Sequence, residues 1–346
     1  MATVPTAAVR PGRVTISQVA AAAGVSVPTV SKVLNGRGEV AAATRDRVET
    51  IIQQYGYTRR KPATAAPPTV IDLVFHELES PWAMELIRGV EGPAREHGLS
   101  VVLTELQGHR RPDRSWLDAV AARRSAGLIL VVSDLSPRQR AQLAARRLPF
   151  VVVDPVGEPG TDVPSVGATN WSGGLAATRH LVEMGHRRIG MIGGPADILC
   201  SRARIDGYRA ALDTAGLPID SELIRHGDFH VESGYDQAAA LLSLPQPPTA
   251  IFAGSDLQAL GVYEAARTHG RTIPRDLSVV GFDDLPIARW TSPPLTTVRQ
   301  PLGEMAATAA RLLLQLSRGE QVATHRFELA TSLVVRESTA PLTGDG

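Results

Sequence analysis

The chain has 346 residues, of which 43% are hydrophobic and 21% charged, so it can form two or three globular domains. No stretch approaches the about 18 apolar residues of a membrane helix, the N-terminus lacks an apolar signal sequence, and the single cysteine excludes an intrachain disulfide framework. The net charge of +1 is uneven, because residues 1–62 carry +6 and the remainder −5. This asymmetry is typical of a basic head that meets a polyanion.

The basic head contains the pattern of three short helices. Thr15 is a favourable N-cap, and Gln18 three residues later completes a capping-box pattern. Gly24 permits the left-handed residue of a tight turn, and Ser26 can cap a second helix. A third helix begins near Thr44. Such a trio places its second helix in the major groove of DNA, although small three-helix units also serve as interaction modules.

Residues 14–57 resemble the N-terminal signature of the LacI/GalR family of bacterial transcription regulators almost without interruption: VTISQVAAAAGVSVPTVSKVLNGRGEVAAATRDRVETIIQQYGY. The resemblance implies that Val27, Pro28 and Lys32 read base edges. Lys32 can donate to guanine, whereas the two apolar residues can contact only groups such as a thymine methyl. The residues implied to contact mainly phosphates and sugars are Thr15, Ser26, Thr29, Ser31, Asn35 and Tyr57.

A proline-rich linker follows at residues 61–69, and its prolines favour a semi-rigid, partly extended segment. In the resembling family this stretch is a hinge helix whose leucine enters the minor groove, and Ala66 occupies that position here. Alanine has little volume to insert between base steps, so a linker and a short hinge helix both remain open. Arg59 and Arg60 are placed to contact phosphates in either case.

The body alternates short apolar runs with helical patterns, which predicts two lobes of parallel sheets flanked by helices. The predicted strands are residues 71–75, 101–106, 127–132 and 150–154, then 188–193, 222–227, 250–254 and 277–284. The predicted helices lie near 83–97, 113–124, 137–147, 172–185, 202–215, 231–243 and 256–269. The fold class is therefore α/β, with an N-terminal helix-turn-helix head and a two-lobed body of doubly wound parallel sheets.

The body resembles the same family, which shares the fold of periplasmic sugar-binding proteins. Matching stretches are SPWAMELIRGVE, TNWSGGLAATRHLVEMGHRRIGMIGGP, SRARIDGYRAAL, AGSDLQALGVYEAAR and VVGFDDLP. The resemblance implies three crossings between lobes, a DNA-binding domain at 14–60, and an effector-binding and dimerisation domain at 70–340. The lobes are expected at approximately 70–170 with 298–322, and 171–297 with 323–340.

Candidate effector contacts lie at predicted strand ends, because ligands of such folds bind outside the carboxyl ends of the strands. Sugars present flat apolar faces and hydroxyl rims, which fit aromatic plates beside carboxylates and arginine. The candidates are Trp82, Asp154, Arg204, Phe229 and Asp256, and the resemblance places the last three at effector-contacting positions. The alternatives are core packing for the aromatic residues, a structural salt bridge for Arg204 and a helix N-cap for Asp256. Weaker candidates are His76, Glu77, Ser133, Asp134, Asn170 and Asp283.

The sequence lacks a phosphate-binding loop, a nucleophile elbow and a dinucleotide-binding glycine pattern, so no enzyme, cofactor or metal is expected. The expected function is that of a cytoplasmic, homodimeric repressor of carbohydrate-utilisation genes. Two heads would bind near-palindromic double-stranded operator DNA, and a sugar or oligosaccharide effector would control operator affinity. The alternatives are a sugar-binding transport protein, which the head disfavours, and a carbohydrate-active enzyme, which the absent motifs disfavour.

Overall fold

The computed structural model describes residues 15–34, 40–55 and 68–342. The chain divides into a small N-terminal unit and a larger C-terminal unit that begins at Pro68. Four residues expected at the DNA interface lie outside the described ranges, as do residues 61–67 of the linker. These four are Asn35, Tyr57, Arg59 and Arg60. The choice between an extended linker and a hinge helix therefore stays a prediction.

Three helices lie in the described part of the N-terminal unit: α1 Ile16–Ala23, α2 Val27–Leu34 and α3 Ala42–Gln54. Each helix contributes one valine that is 0% exposed, namely Val19, Val30 and Val48. Burying these side chains together is the main stabilising contribution available to so small a unit. The packing also turns the opposite side of α2 outward.

The turn between α1 and α2 has the predicted geometry. The Thr15 hydroxyl accepts the Gln18 N–H, and the Gln18 side chain accepts the Thr15 N–H at 2.8 Å, which confirms the capping box. Gly24 ends α1 with a φ of 65°, a conformation that a residue without Cβ adopts at little cost. The Ser26 hydroxyl then accepts the Thr29 N–H in the first turn of α2.

Twelve strands lie in the described part of the C-terminal unit. They are β1 Val70–Phe75, β2 Ser100–Glu105, β3 Ser125–Val131, β4 Phe150–Val153, β5 Ser165–Ala168, β6 Ile189–Gly193, β7 Ile224–His226, β8 Ala250–Ala253, β9 Ser278–Asp283, β10 Thr296–Arg299, β11 Arg326–Leu329 and β12 Ser332–Val334. The first sheet has the order β11-β5-β4-β3-β1-β2 and is parallel throughout. The second has the order β12-β10-β9-β8-β6-β7, with only β12 antiparallel.

Helices cover both sheets: α4 Pro81–Glu96, α5 Arg114–Ala122, α6 Pro137–Ala145, α7 Asn170–Glu183, α8 Leu199–Thr214, α9 Val231–Leu242, α10 Asp256–Thr268 and α11 Leu302–Ser317. The first lobe consists of the first sheet with α4, α5, α6 and α11, and the second lobe of the second sheet with α7 to α10. Central strands are buried on both faces, as their unbroken apolar runs predict. The α/β, two-lobed fold class is confirmed.

Glycines set the close packing of α7 against α8. A Cβ on Gly174 would lie 2.3 Å from the Arg204 carbonyl oxygen, and one on Gly207 would lie 2.2 Å from the Trp171 carbonyl oxygen. Both distances are far below van der Waals contact, so the two helix backbones can touch only where glycine stands. This packing fixes the position of Arg204 on α8.

The lobe boundary near the C-terminus needs one correction. We expected residues 323–340 in the second lobe, but β11 belongs to the first sheet, where Phe327 pairs with Val166 of β5. The other returning segment, expected near residues 298–322, contains α11, which packs against α4. Strands of three or four residues carry too little periodicity to show which sheet edge they join, since that choice depends on long-range pairing.

Candidate functional site

The carboxyl ends of both sheets face a cavity of about 310 Å³ between the two lobes. Its volume is at the lower end of the range for small-molecule sites. Residues just beyond β1, β3, β4, β6, β8 and β9 reach it, as expected for doubly wound folds. The lining comprises His76, Glu77, Ser80, Trp82, Gly108, Arg110, Val132, Asp154, Pro195, Ile198, Cys200, Arg204, Asp228, Phe229, His230, Ser255, Leu257, Asp283 and Leu285. Four of the five candidates are therefore brought together: Trp82, Asp154, Arg204 and Phe229.

Arg204 is the central cation of the cavity and is only 3% exposed. Its Nε donates to the Asn170 side-chain oxygen at 2.8 Å, and one terminal nitrogen donates to the Gly254 carbonyl oxygen. The guanidinium carbon lies 3.7 Å from the Phe282 ring centroid and 5.5 Å from that of Phe229. These contacts hold the guanidinium plane in one orientation at the cavity wall.

Two buried carboxylates flank this arginine. Asp154 is 4% exposed and Asp283 is 6% exposed, and Asp283 Oδ1 lies 3.9 Å from an Arg204 nitrogen. Burial raises the pKa of Asp154 to about 6, and Arg204 only partly opposes this rise. Burial likewise raises the pKa of Asp283 to about 7, against the lowering effects of Arg204 and a hydrogen bond from Gln300. The charge of one guanidinium therefore lowers the pKa of both carboxyl groups, whose lone pairs can accept from ligand hydroxyls.

Backbone strain is concentrated at the same strand ends. Val132, Asp154, Phe229 and Asp283 line the cavity and have φ values of 45°, 46°, 76° and 115°. Non-glycine residues adopt such values at a cost of about 1–3 kcal/mol each, and they cluster where function needs a particular side-chain direction. Here the positive φ directs each side chain into the cavity at the point where its strand or loop turns.

Phe229 and Trp82 form the apolar part of the lining. The Phe229 ring lies directly on Gly194, where a Cβ would approach the ring to 2.1 Å. Trp82 stands in the first turn of α4, which Ser80 caps by accepting the Trp82 N–H at 3.2 Å. Both rings are only half-buried, and each also packs against the apolar core of the first lobe. They can therefore offer aromatic faces to a ligand as well as contributing to packing.

Asp256 lies behind the cavity wall rather than in its lining, and it is 0% exposed. Its two oxygens accept from the Leu285 N–H at 2.7 Å and from the Thr297 hydroxyl at 2.5 Å. Ser255, not Asp256, is the N-cap of α10. Asp256 thus holds Leu285 in place and, with it, the turn that follows Asp283 at the end of β9.

Two polar contacts join the lobes at the cavity rim. Arg110 of the first lobe pairs with Asp197 of the second, and Glu77 of the first lobe lies 3.2 Å from His230 Nε2 of the second. Burial lowers the pKa of His76, the neighbour of Glu77. The rim is therefore closed by polar contacts that an incoming ligand must separate.

The structure also adds residues to the candidate set. Asp283, Glu77 and His76 were weaker candidates by sequence, yet all three line the cavity, whereas Arg110, Asp228 and Ser255 were not considered. Their positions in the sequence could have identified two of these residues, because Ser255 lies just after β8 and Asp228 directly precedes Phe229. Cys200 also lines the cavity, but burial raises the pKa of its thiol to about 12, so the thiol is not a nucleophile.

The N-terminal unit presents α2 as its candidate nucleic-acid surface. Val27 is 39% exposed, Pro28 and Ser26 are exposed, and Lys32 lies one helical turn beyond Pro28. Thr29 and Ser31 are half-buried, and Thr15 is exposed at the start of α1. An exposed valine at the start of α2 leaves part of its apolar surface available to a partner, which agrees with a base-contacting position.

None of the helices in the described ranges combines the length and apolar character needed to span a bilayer. Within the same ranges, no three His, Cys, Asp or Glu side chains lie close enough together to share a metal ion.

Comparisons with known proteins agree with this geometry in both units. Residues 15–60 match the model of bacterial regulatory proteins of the lacI family, and residues 178–339 match that of periplasmic binding protein-like domains. The chain is 34% identical over 331 residues to the HTH-type transcriptional repressor CytR of Escherichia coli (strain K12), which covers 95% of this chain and 97% of the relative.

Solved structures are similar over the same length. The transcriptional regulator CelR–cellobiose complex has a TM-score of 0.72 and 35% identity, covering 94% of this chain and 100% of that one. The lac repressor dimer bound to operator and the anti-inducer ONPF has a TM-score of 0.68 and 28% identity, covering 95% of this chain and 100% of that one.

Proposed function

This chain belongs to the LacI family of bacterial regulatory proteins, and we propose that it represses carbohydrate-utilisation genes under the control of a sugar. In this proposal two copies of the N-terminal unit bind a near-palindromic operator. A small sugar or oligosaccharide in the cavity changes the affinity for that operator by preferring one of two protein states. The similar CelR structure was solved with cellobiose, which supports a sugar as the effector class.

The observation that carries the proposal is that two half-buried aromatic rings line the same cavity as a buried guanidinium and two buried carboxyl groups. Phe229 and Trp82 would cover the apolar faces of a sugar ring. Asp154, Arg204 and Asp283 would hydrogen-bond its hydroxyls. Asp256 would act through Leu285 as a positioning residue, since its own oxygens are engaged within the protein.

For the DNA interface we propose that Val27, Pro28 and Lys32 contact base edges. The residues proposed to contact phosphates and sugars are Thr15, Ser26, Thr29, Ser31, Asn35, Tyr57, Arg59 and Arg60. A lysine that donates to guanine confers specificity, whereas the phosphate contacts supply salt-dependent affinity. Most of the sequence preference at a half-site would then depend on Lys32.

The remaining features of the proposal follow the family. DNA binding would reside in residues 14–60, the linker in 61–69, and effector binding and homodimerisation in 70–340, apart from the lobe assignment of β11 corrected above. We place the protein in the cytoplasm with the nucleoid, where its operator is. The relatives are transcriptional regulators, and this chain is likewise proposed to act by binding rather than by catalysis.

The experiment combines DNA binding with a sugar screen. The full-length protein is titrated into labelled fragments from upstream of its own and neighbouring genes, with and without mono- and oligosaccharides that raise its Tm. We expect one specific retarded band whose affinity changes when a stabilising sugar is added. If no fragment is bound specifically under any ligand condition, the protein is not a regulator of this type.

A pair of variants connects the sugar to the cavity. Asp154→Asn removes a carboxylate from the lining, whereas Asp162→Asn removes one from an exposed position nearby. The first change should weaken sugar binding and the sugar response of the DNA complex, and the second should leave both as in the wild type. Equal sugar binding by both variants would exclude Asp154 from the effector site.

A further inference from the structure

We infer that the cavity selects an uncharged, hydroxyl-rich effector and rejects the phosphorylated or carboxylated form of the same sugar. This inference rests on the proposed function, because it specifies which class of sugar the site takes. It follows from how the charged groups and helix ends of the lining are already occupied.

Both arginines of the lining are engaged by acceptors within the protein. Arg204 donates to Asn170 and to the Gly254 carbonyl oxygen, and it lies beside Asp283. Arg110 is paired with Asp197 at the rim. A phosphate that paired with either arginine would compete with these acceptors for the guanidinium, which weakens the bidentate pairing that makes arginine an effective anion receptor.

Carboxylates outnumber these arginines in the lining. They are Glu77, Asp154, Asp228 and Asp283. With pKa values of about 6 and about 7, Asp154 and Asp283 are predominantly ionised at pH 8. His76 is neutral there because burial lowers its pKa, and His230 is paired with Glu77. An anion would therefore meet net negative charge in a site of reduced dielectric constant.

Helix N-termini are the other common receptors for anions, and four of them reach the cavity. Ser80 accepts the Trp82 N–H at the start of α4, and Ser255 accepts the Gln258 N–H at the start of α10. Asp228 accepts the His230 N–H at 2.9 Å at the start of α9, so a carboxylate already occupies this helix end.

The fourth helix end belongs to α8, where the Leu199 N–H donates to the Val156 carbonyl oxygen at 2.8 Å. Each of the four helix starts thus has an acceptor of the protein on one of its N–H groups. The same lining suits a neutral sugar, because ionised carboxyl groups accept hydrogen bonds from hydroxyls. Each carboxylate can accept two or more such hydrogen bonds.

The test compares matched pairs of ligands by calorimetry with the full-length protein at pH 8. The pairs are glucose and glucose 6-phosphate, ribose and ribose 5-phosphate, and cellobiose and its 6-phosphate. We expect a neutral member to bind about 100-fold more tightly than its phosphorylated partner. Equal or tighter binding of a phosphorylated member would overturn the inference while leaving sugar control intact. If neither member of any pair binds and no sugar of the wider screen raises the Tm, the proposed sugar function itself fails.

A charge variant tests the cause of the selectivity. Asp228→Asn removes one charge from the lining but keeps an acceptor for the His230 N–H, and we expect it to narrow the preference for the neutral sugar about tenfold. The matched control is Asp236→Asn, which removes one charge from the exposed side of α9. We expect this control to prefer the neutral sugar as strongly as the wild type does. If Asp228→Asn has the same preference as Asp236→Asn, the carboxylates do not cause the selectivity.

Discussion

Replacing Asp154 by asparagine should stabilise the protein while weakening effector binding. Asp154 is 4% exposed, and burial raises its pKa from 3.8 to about 6 despite the nearby charge of Arg204. A carboxyl group with a raised pKa binds its proton more tightly in the folded state than in the unfolded state. Its ionisation therefore costs stability as the pH rises from about 4 to above 6.

The magnitude follows from the shift. A difference of roughly two pKa units corresponds to about 3 kcal/mol when both states are ionised, and to about half of that at pH 5. Asparagine has nearly the same shape, is never ionised, and tolerates the φ of 46° at this position. The variant should therefore gain up to about 3 kcal/mol in the free energy of unfolding at pH 8 and clearly less at pH 5.

Urea denaturation at both pH values, at a fixed protein concentration, measures this gain. Asp162→Asn, at an exposed position, should unfold like the wild type throughout. If Asp154→Asn were no more stable than the wild type at pH 8, the burial cost inferred for this carboxylate would be refuted. A gain of the same size at both pH values would instead indicate better packing rather than removal of a buried charge.

Three further predictions concern packing, DNA recognition and the cavity rim. Gly207→Ala should lower the free energy of unfolding by about 1–3 kcal/mol, because its Cβ would meet backbone atoms of α7. In the matched variant Gly92→Ala the added Cβ would meet nothing within 4 Å, so this variant should be as stable as the wild type or more stable. Urea denaturation measures both variants. Lys32→Ala should weaken operator binding by about 1–3 kcal/mol in anisotropy titrations, and an equal loss on random DNA would identify a phosphate contact instead. Asp197→Asn removes the charged partner of Arg110 at the cavity rim. Because Asp197 is exposed, the change should lower the free energy of unfolding by less than about 1 kcal/mol. It should nevertheless speed effector dissociation several-fold, as measured by stopped flow. Unchanged dissociation would mean that this pair does not hold the rim closed.

Much of the fold could be predicted because its signals are local. The capping box of Thr15 and Gln18, the glycine turn at Gly24 and the long apolar strands depend on residues close together in sequence. The two-series alternation of strands and helices sufficed to predict two lobes. The short strands β5, β10, β11 and β12 were not predicted, because three or four residues carry little periodicity.

The candidate site was predicted in outline, since strand ends in doubly wound folds identify the face where ligands bind. Four of five favoured residues line the cavity, but sequence position did not separate Asp256 from Asp283. Both follow or end a strand of the same sheet. Only the packing shows that Asp256 is turned inward to Leu285 and Thr297, whereas Asp283 faces the cavity beside Arg204.

The sequence by itself determined the division between a basic helical head and an acidic, two-lobed α/β body, because charge, capping and hydrophobic period are properties of neighbouring residues. Tertiary structure decided which of the polar groups remain available to a ligand. Segments remote in sequence supply the acceptors of Arg204 and Arg110. A turn of the chain supplies the backbone N–H that Asp228 accepts. These contacts determine the charge that a ligand in the cavity meets. The proposed selectivity depends on which polar groups have no partner within the folded protein, and long-range packing determines this.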